Sequence, residues 1–259
     1  MSRGGAARAL AQIEAELVEC RRCPRLVTWR EDVAREKRRA YRDQIYWGRP
    51  VPGFGDPEAP LVIVGLAPAA HGANRTGRMF TGDRSGDFLY AALFRAGIAS
   101  QPTSTWRDDG LALRGAFITA PCHCAPPDNK PTNAELASCR GWLERELGAL
   151  RGARVYLALG RIGYEAVGAL ARARSAPAAA GEPPRRRAEG PPRLPPFTHG
   201  VEALIPDPRG GPGEARLFGS YHVSQQNTQT GRLTEAMFDE VLRRALRAAG
   251  LLAQLRSPT

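Results

Sequence analysis

Four short apolar runs divide the chain, at residues 61–64, 116–120, 154–159 and 216–221. Each run is largely continuous in hydrophobicity, and each is followed by a loop rich in glycine, proline or polar residues. Continuous apolar runs of this length are typical of strands that are buried on both faces of a parallel sheet. The pattern therefore predicts four strands whose carboxyl ends carry the unusual loops of the chain.

Helical periodicity fills the intervals between these runs. Helices are predicted over residues 6–19, within the basic segment 25–49, over 83–97, from 132, after 160 and from 234. Leu10, Ile13 and Leu17 fall on one face of the first helix, and Thr132 with Glu135 forms a capping box. Helices that alternate with strands predict a single doubly wound α/β domain over residues 1–259, with a central four-stranded parallel sheet flanked by helices.

Two segments lack either pattern. Residues 50–60 are rich in proline and glycine and are interpreted as a linker that leads into the first strand. Residues 175–200 are rich in alanine, proline and arginine and are interpreted as a flexible insertion.

The loops after the predicted strands are the best candidates for a functional site. The first loop begins as GLAPA (residues 65–69) and continues through a polar segment, residues 71–81, to Asp83, where a helix begins. The other three loops contain TAPCHCAPPDN, LGR and YHVSQQN. The carboxyl ends of parallel strands meet at one edge of a sheet, so the four loops should form one pocket. An ordinary capped turn explains Asp83, but it does not explain Phe80 in so polar a loop.

The chain has five cysteines, and their spacing suggests a metal or cluster site. Cys20 and Cys23 form a C-x2-C pair followed by Pro24, and Cys124 and Cys139 follow far along the chain. Four thiolates hold either zinc or an iron–sulfur cluster, and spacing alone leaves both open. Cys122 is an alternative to Cys124, since the two are only two positions apart.

Composition narrows the function further. The chain has 259 residues, 42% of them hydrophobic, and a net charge of +11 with a pI near 10.2. An excess of basic residues favours a nucleic-acid partner. A genome of high GC content, which encodes arginine often, also explains part of this excess. No apolar run is long enough to span a membrane and no signal sequence is visible, so we expect a cytoplasmic protein without a membrane partner. The Walker motif is absent, which argues against a nucleotide cofactor.

Taken together, these motifs resemble those of the uracil-DNA glycosylase superfamily, in particular its iron–sulfur family 5 branch, the B-type enzyme of bacteria and archaea. The matching segments cover nearly the whole chain except residues 175–200. They are CRRCPRLVTWRE, RPVPGFGDPEAPLVIVGLAPAAHGANRTGRMFTGD, CAPPDNKPT with Cys139, ALGR and SYHVSQQNTQTGRLT.

The resemblance implies a structural 4Fe–4S cluster held by Cys20, Cys23, Cys124 and Cys139. The family motif places its cysteine directly before Ala-Pro-Pro, which favours Cys124 over Cys122. A cluster in such enzymes ties the N-terminal segment to the sheet and shapes a surface that faces DNA.

The resemblance also implies a catalytic set with one departure. Most branches carry Asp, Glu or Asn where this chain has Ala67, and that absence matches family 5. The alternative polar residue is Asp83, Asn129 replaces the asparagine absent at Ala120, and the histidine of the third motif is His222.

The implied function is a monofunctional, monomeric glycosylase that flips uracil out of DNA and hydrolyses its N-glycosidic bond through a dissociative, oxocarbenium-like transition state, initiating base-excision repair. The small Ala67 makes hypoxanthine and xanthine further candidate bases. The expected base-binding residues are Gly65, Leu66, Ala67, Phe80, Asn129 and His222. The expected DNA-binding residues are Arg75, Ser224, Gln225, Gln226, Asn227 and Arg232. A non-catalytic DNA-binding module with a zinc or iron–sulfur site is the alternative.

Overall fold

The structure, a computed structural model, describes residues 4–174 and 194–252. Most of the predicted insertion, residues 175–193, lies outside the described residues. The helices of the described chain are α1 Gly4–Leu17, α2 Pro24–Glu36, α3 Ala73–Thr76, α4 Arg84–Arg95, α5 Asn133–Ala149, α6 Arg161–Arg174, α7 Gln225–Gln229 and α8 Glu235–Ala248. Its strands are β1 Phe54–Gly55, β2 Leu61–Val64, β3 Ala116–Thr119, β4 Val155–Leu159, β5 Glu202–Pro206 and β6 Glu214–Ser220.

The described strands form one six-stranded mixed sheet in the order β1-β3-β2-β4-β6-β5. The prediction of a four-stranded parallel sheet is therefore wrong in extent. The pairs β2–β3, β2–β4 and β4–β6 are parallel, whereas β1 and β5 are antiparallel edge strands. The edge strands escaped the pattern because β1 has only two residues and β5 ends in a proline, a residue typical of edges.

Residues 50–60 also differ from their interpretation as a linker. They contain β1, and Val51 and Ala59 are completely buried. Gly55 pairs with β3 at a φ of 139°, and a Cβ on it would lie 2.4 Å from the carbonyl oxygen of Ala116. Glycine here allows the backbone to approach the sheet edge closely.

Helices cover both faces of the sheet, and alternate residues of β2 pack into the cores on opposite faces. Leu61 and Ile63 join a core with α4 and α8, whereas Val62 and Val64 join a core with α5 and α6. All four side chains are fully buried. The lack of alternation in β2 follows directly from this two-sided cover. No helix among the described residues has the length and hydrophobicity needed to cross a bilayer.

Three helix starts are held by the residues that the sequence indicated. Asp83 caps α4 by accepting a hydrogen bond from the Gly86 amide, and Thr234 caps α8. Thr132 and Glu135 form a reciprocal capping box at α5. These predicted starts are confirmed.

The carboxyl ends of the parallel strands lie at one edge, as predicted. The Gly65 amide after β2 donates to the Thr119 carbonyl at the end of β3, at 2.8 Å. The Gly160 amide after β4 donates to the Ser220 carbonyl at the end of β6, also at 2.8 Å. These bonds bring the starts of the strand-end loops into register, so the side chains that follow share one rim.

Candidate active site and cysteine cavity

The ring of Phe80 lies over the end of β2. A Cβ on Gly65 would be 2.8 Å from the Phe80 Cζ, so only glycine leaves room for the ring. The Phe80 backbone has a φ of 52°, in the left-handed region that non-glycine residues rarely adopt. This conformation costs about 1–2 kcal/mol. A strained aromatic at a strand-end rim points to a functional role for its ring.

His222 approaches the same place from the end of β6. Its ring centroid lies 6.2 Å from that of Phe80, with 32° between the planes. The Nδ2 of Asn227 donates to the His222 carbonyl at 2.8 Å, which fixes the backbone after the strand. A Cβ on Gly160 would contact the His222 Cβ at 3.4 Å. The loops after β2, β4 and β6 therefore meet around Phe80 and His222.

The imidazole of His222 is neutral at physiological pH. Burial lowers its pKa from 6.5 to about 4, because desolvation disfavours the charged form. A neutral imidazole carries one N–H donor and one acceptor nitrogen. His222 can therefore donate a hydrogen bond to an oxygen without carrying a full positive charge.

Asp83 occupies the start of α4 on the same loop as Phe80. Its Oδ1 accepts a hydrogen bond from the Gly86 amide at 3.0 Å. Its Oδ2 packs so closely on Gly72 that a Cβ added to Gly72 would be 1.9 Å from it. Burial raises the pKa of Asp83, and hydrogen bonds from the Gly86 and Ser85 amides oppose that shift. The carboxylate is therefore held between the helix start and the loop backbone.

Arg75 holds this loop from inside, which corrects its prediction as a DNA-binding residue. Its side chain is 4% exposed. It donates to the carbonyls of His71 at 2.8 Å and Gly82 at 2.7 Å and to the Oε1 of Gln44 at 2.5 Å. Because the side chain is buried and bonded within the protein, a phosphate cannot reach it without opening the loop.

The other predicted residues are exposed or half-buried in the strand-end loops. Asn129 is exposed on a short 3-10 turn, Pro127–Asn129, with a φ of 56°. Within residues 4–174 and 194–252, no hydrogen bond or ring contact joins its side chain to Phe80, Asp83 or His222. Gln225, Gln226 and Arg232 are exposed, Leu66 and Ser224 are half-buried, and Ser224 precedes α7 without a capping hydrogen bond from its side chain.

Four of the five cysteines line one cavity beneath the rim. Its lining includes Cys20, Cys23, Cys124 and Cys139, with the indole of Trp142. Cys122 is fully buried outside this lining, and its thiol donates to the Cys124 carbonyl at 3.3 Å. Ala67 packs against the adjoining cluster of Leu26, Cys122 and Cys124. The cavity therefore adjoins the first strand-end loop.

Two N–H donors at or beside the cavity have no acceptor among the described residues. Arg30 is 2% exposed, and its Nη1 donates to the Cys124 Sγ at 3.1 Å while its Nε has no acceptor in the described chain. The Trp142 Nε1 also lacks an acceptor among these residues. The His123 amide donates to the Cys139 Sγ at 3.4 Å. Burial raises the pKa of the Cys124 thiol to about 12, and Arg30 opposes that shift.

This donor set fits a thiolate-held iron–sulfur cluster. The Arg30 guanidinium lies 3.7 Å from the Glu31 carboxylate, and a cluster with four thiolates would add further negative charge beside it. N–H groups aimed at sulfur are the hydrogen bonds that such clusters accept. The described residues do not form a compact site for a single metal ion.

Comparison with known proteins identifies the family. The description "Uracil DNA glycosylase superfamily" matches residues 52–246. The chain belongs to this superfamily. A protein of Thermus thermophilus named type-5 uracil-DNA glycosylase is 52% identical over 91% of this chain and 96% of its own. Proteins of the same name from Mycobacterium leprae and Pyrobaculum aerophilum are 49% and 44% identical, over 95% and 91% of this chain and 99% and 92% of their own. The resemblance inferred from the motifs is confirmed.

Two residues of this superfamily member escaped the sequence reasoning. Arg30 lies in a strongly basic run, so nothing distinguished it from solvated arginines until the fold buried it against Cys124. His123 stands between two cysteines, and no sequence pattern gives it a role. Its Nδ1 is 2.8 Å from the Val51 carbonyl, and its Nε2 is 3.7 Å from the Glu146 carboxylate. Both residues tie the cysteine cavity to the surrounding chain.

Proposed function

We propose that this chain is a uracil-DNA glycosylase, which hydrolyses the N-glycosidic bond of uracil in DNA and initiates base-excision repair. The observation that carries the proposal is the neutral His222 beside the ring of Phe80, on a rim that also holds Asp83. The names of the relatives support the same activity. Monomeric state and cytoplasmic location stay predictions.

The proposed mechanism begins with extrusion of the base from the duplex, since the bond is inaccessible inside the stack. Uracil stacks on Phe80, and His222 donates a hydrogen bond to its O2. The bond between C1′ and N1 breaks with its electron pair moving to the base, so negative charge develops on that oxygen. Water then adds to the cationic sugar and loses a proton, and the uracil anion takes up a proton from solvent, so the products are neutral uracil and an abasic sugar.

The remaining residues take supporting roles in this proposal. An ionised Asp83 stabilises the cationic sugar or holds the attacking water, because Ala67 supplies no polar group. The exposed Asn129 recognises the base edge once DNA is bound, and Gly65 and Leu66 line the backbone side of the pocket.

The segment after β6 binds the duplex in this proposal. Its side chains that enter the minor groove are Ser224, Gln225, Gln226 and Arg232, while Asn227 holds the His222 loop. The small Ala67 leaves room for hypoxanthine and xanthine.

The proposed cofactor is a structural 4Fe–4S cluster held by Cys20, Cys23, Cys124 and Cys139. The cavity lining and the orphaned donors of Arg30 and Trp142 support it. When bound, the cluster supplies a rigid cross-link between α1, α2 and α5. It takes no part in the chemical steps derived above.

The experiment that tests the function is a cleavage assay. The protein is incubated with duplex DNA that contains one uracil, and abasic sites are then cleaved with alkali. We expect cleavage at the uracil position only. Binding of the duplex without any cleavage, for uracil, hypoxanthine and xanthine alike, would instead indicate a non-catalytic DNA-binding module.

Replacing Gly72 with alanine tests the position of the Asp83 carboxylate. The new Cβ would stand 1.9 Å from Oδ2, so the carboxylate must move by an ångström or more. A displacement of this size lowers a rate by up to ~10²-fold. We expect Gly72→Ala to match Asp83→Ala in single-turnover uracil release. Gly148→Ala is the control, because nothing lies within 4 Å of its Cβ, and equal rates in both glycine variants would contradict this role.

The pH dependence follows from the two shifted groups. The mechanism requires ionised Asp83, whose pKa is raised by burial, so the rate should fall as the pH falls through that raised pKa. His222 should add no break near 6.5, because burial lowers its pKa to about 4. A plot of the single-turnover rate against pH should show one fall on the acid side, and the Asp83→Asn variant should lack that fall. A break near 6.5 that persists in Asp83→Asn would show that His222 titrates during the reaction.

A further inference from the structure

A short basic segment between α2 and the first strand-end loop carries three arginines that no carboxylate pairs with among the described residues. This basic turn, residues 37–44, carries Lys37, Arg38, Arg39 and Arg42 and one acid, Asp43. The three arginines are exposed, and within the described residues none of them makes an ion pair. By contrast, the exposed Arg35 in α2 pairs with Asp32, and the exposed Arg21 before α2 pairs with Glu31.

The turn is nevertheless ordered by its own contacts. Arg39–Tyr41 forms one turn of 3-10 helix, and the Tyr41 amide donates to the Arg38 carbonyl at 2.8 Å. The Lys37 Nζ donates to the Arg42 carbonyl at 3.2 Å. Main-chain groups and the Lys37 ammonium hold the shape of the turn, so the guanidinium groups of Arg38, Arg39 and Arg42 are not needed for it.

The buried Arg75 joins the basic turn to the loop that carries Phe80 and Asp83. Its guanidinium lies 4.0 Å from the centre of the Tyr41 ring, and it donates to Gln44 at 2.5 Å. The same guanidinium donates to the carbonyl of Gly82, the residue directly before Asp83, at 2.7 Å. Movement of the turn against the catalytic loop would therefore break a buried hydrogen-bond network.

A second link passes through Tyr46. Its hydroxyl accepts from the Arg38 amide at 3.3 Å and lies 3.1 Å from the His71 Nδ1 in the loop. Burial, and then the nearby guanidinium groups of Arg38 and Arg75, lower the pKa of His71. The charge of Arg38 therefore extends toward the strand-end rim, where no carboxylate pairs with it among the residues described.

We propose that the basic turn binds phosphates of the DNA backbone on the β2 side of the pocket, opposite the Ser224–Arg232 segment that follows β6. Strands β2 and β6 are separated by β4 alone, so the loops that follow them begin about 10 Å apart, and the contacts of Arg75 and Tyr46 tie the basic turn to the loop after β2. Phosphate contacts fix the register of a protein on a duplex, and Arg75 transmits that register to Phe80 and Asp83. The inference rests on the proposed function, because the ligand of the turn is the DNA that enters the pocket.

The test is the salt dependence of binding to undamaged duplex DNA. Each phosphate contact contributes about 0.9 to the slope of log K against log salt. Replacing Arg38, Arg39 and Arg42 with alanine together should reduce the magnitude of the slope by roughly 2 to 3, measured by fluorescence anisotropy between ~50 and ~200 mM salt. Parental binding should weaken over that range about 40-fold more than binding by the triple variant.

A matched control removes the same charge from the opposite edge of the sheet. Arg114 precedes β3, and Arg172 and Arg247 lie near the ends of α6 and α8; all three are exposed and make no ion pair in the described chain. The control triple alanine variant should keep the parental slope to within about half of one contact. Equal losses in both triple variants, or no loss in the basic-turn variant, would overturn the proposal.

The assay separates this proposal from the proposed function. Binding to undamaged duplex requires no base release, so the slope comparison holds whether or not the parent protein excises uracil. A parent that binds with the expected difference in slope but releases no uracil would refute the glycosylase assignment and keep the phosphate surface. A parent that releases uracil while the basic-turn variant keeps its slope would refute the phosphate surface alone. Thermal melting confirms that each variant is folded.

Discussion

Replacing His222 with alanine is expected to lower the single-turnover rate of uracil release by about 10²–10³-fold. Negative charge develops on the leaving base as the bond to the sugar breaks, and one positioned donor at such an oxygen has an effect of this size. The donor works as a neutral group, since burial lowers the pKa of His222 to about 4. The rate is measured with enzyme in excess over a uracil-containing duplex.

Three comparisons make the His222 result specific. His222→Gln keeps an N–H donor and should recover part of the lost rate, about 10-fold. His199→Ala removes a half-buried imidazole whose Nδ1 accepts from the Tyr221 amide at 3.2 Å, next to His222 but outside the proposed pocket, and should cost much less. Asp83→Ala should also cost less than His222→Ala, because Ala67 leaves catalysis dependent on the leaving group. A larger loss in Asp83→Ala would refute this order.

Replacing Cys124 with alanine is expected to abolish the iron–sulfur cluster and destabilise the fold. The purified variant should lose the broad absorbance near ~400 nm and its bound iron and sulfide. The melting temperature should fall by roughly 10 °C or more, since loss of a metal site is among the largest single-mutant effects and each ~1 kcal/mol shifts it by ~2–4 °C. Ile13 and Leu17 still pack on Trp142, so the N-terminal helices keep part of their attachment.

Cys122→Ala is the matched control for Cys124. Both thiols are buried and stand two positions apart, but only Cys124 lines the cavity with Cys20, Cys23 and Cys139. Cys122→Ala should keep the absorbance and most of the stability. Loss of colour in Cys122→Ala with retention in Cys124→Ala would reverse the ligand assignment. If the parent protein is colourless and contains zinc, the site holds zinc and not an iron–sulfur cluster.

The helices and the central strands were accessible to sequence reasoning because their signals are local. The apolar run 61–64 became β2 with the predicted bounds, and the capping residues Asp83, Thr132 and Thr234 lie where the predicted helices begin. The edge strand β5 was missed. Its burial alternates, and its pairing with β6 depends on residues that are distant from any local motif.

Some functional side chains could be identified from local motifs, whereas others depend on the tertiary structure. The motifs alone brought Phe80, Asp83 and His222 forward, and the structure brings Phe80 and His222 into contact on the rim. Arg75 and Arg30 could not be judged from sequence, since arginine is polar in any pattern and its burial depends on which carbonyl or thiol the fold places beside it. The role of Asn129 stays a prediction, because it is exposed in the protein without DNA.

The sequence by itself determined the family, the central strands and the loops that follow them, because short apolar runs, caps and motifs are read from neighbouring residues. Only the tertiary structure decided that the sheet has six strands, that Arg75 is an internal support, and that Arg30 is buried against Cys124. Each of these depends on atoms that are far apart in the chain and meet only after the sheet has assembled. Burial and partner choice are properties of that assembly, so local patterns do not contain them.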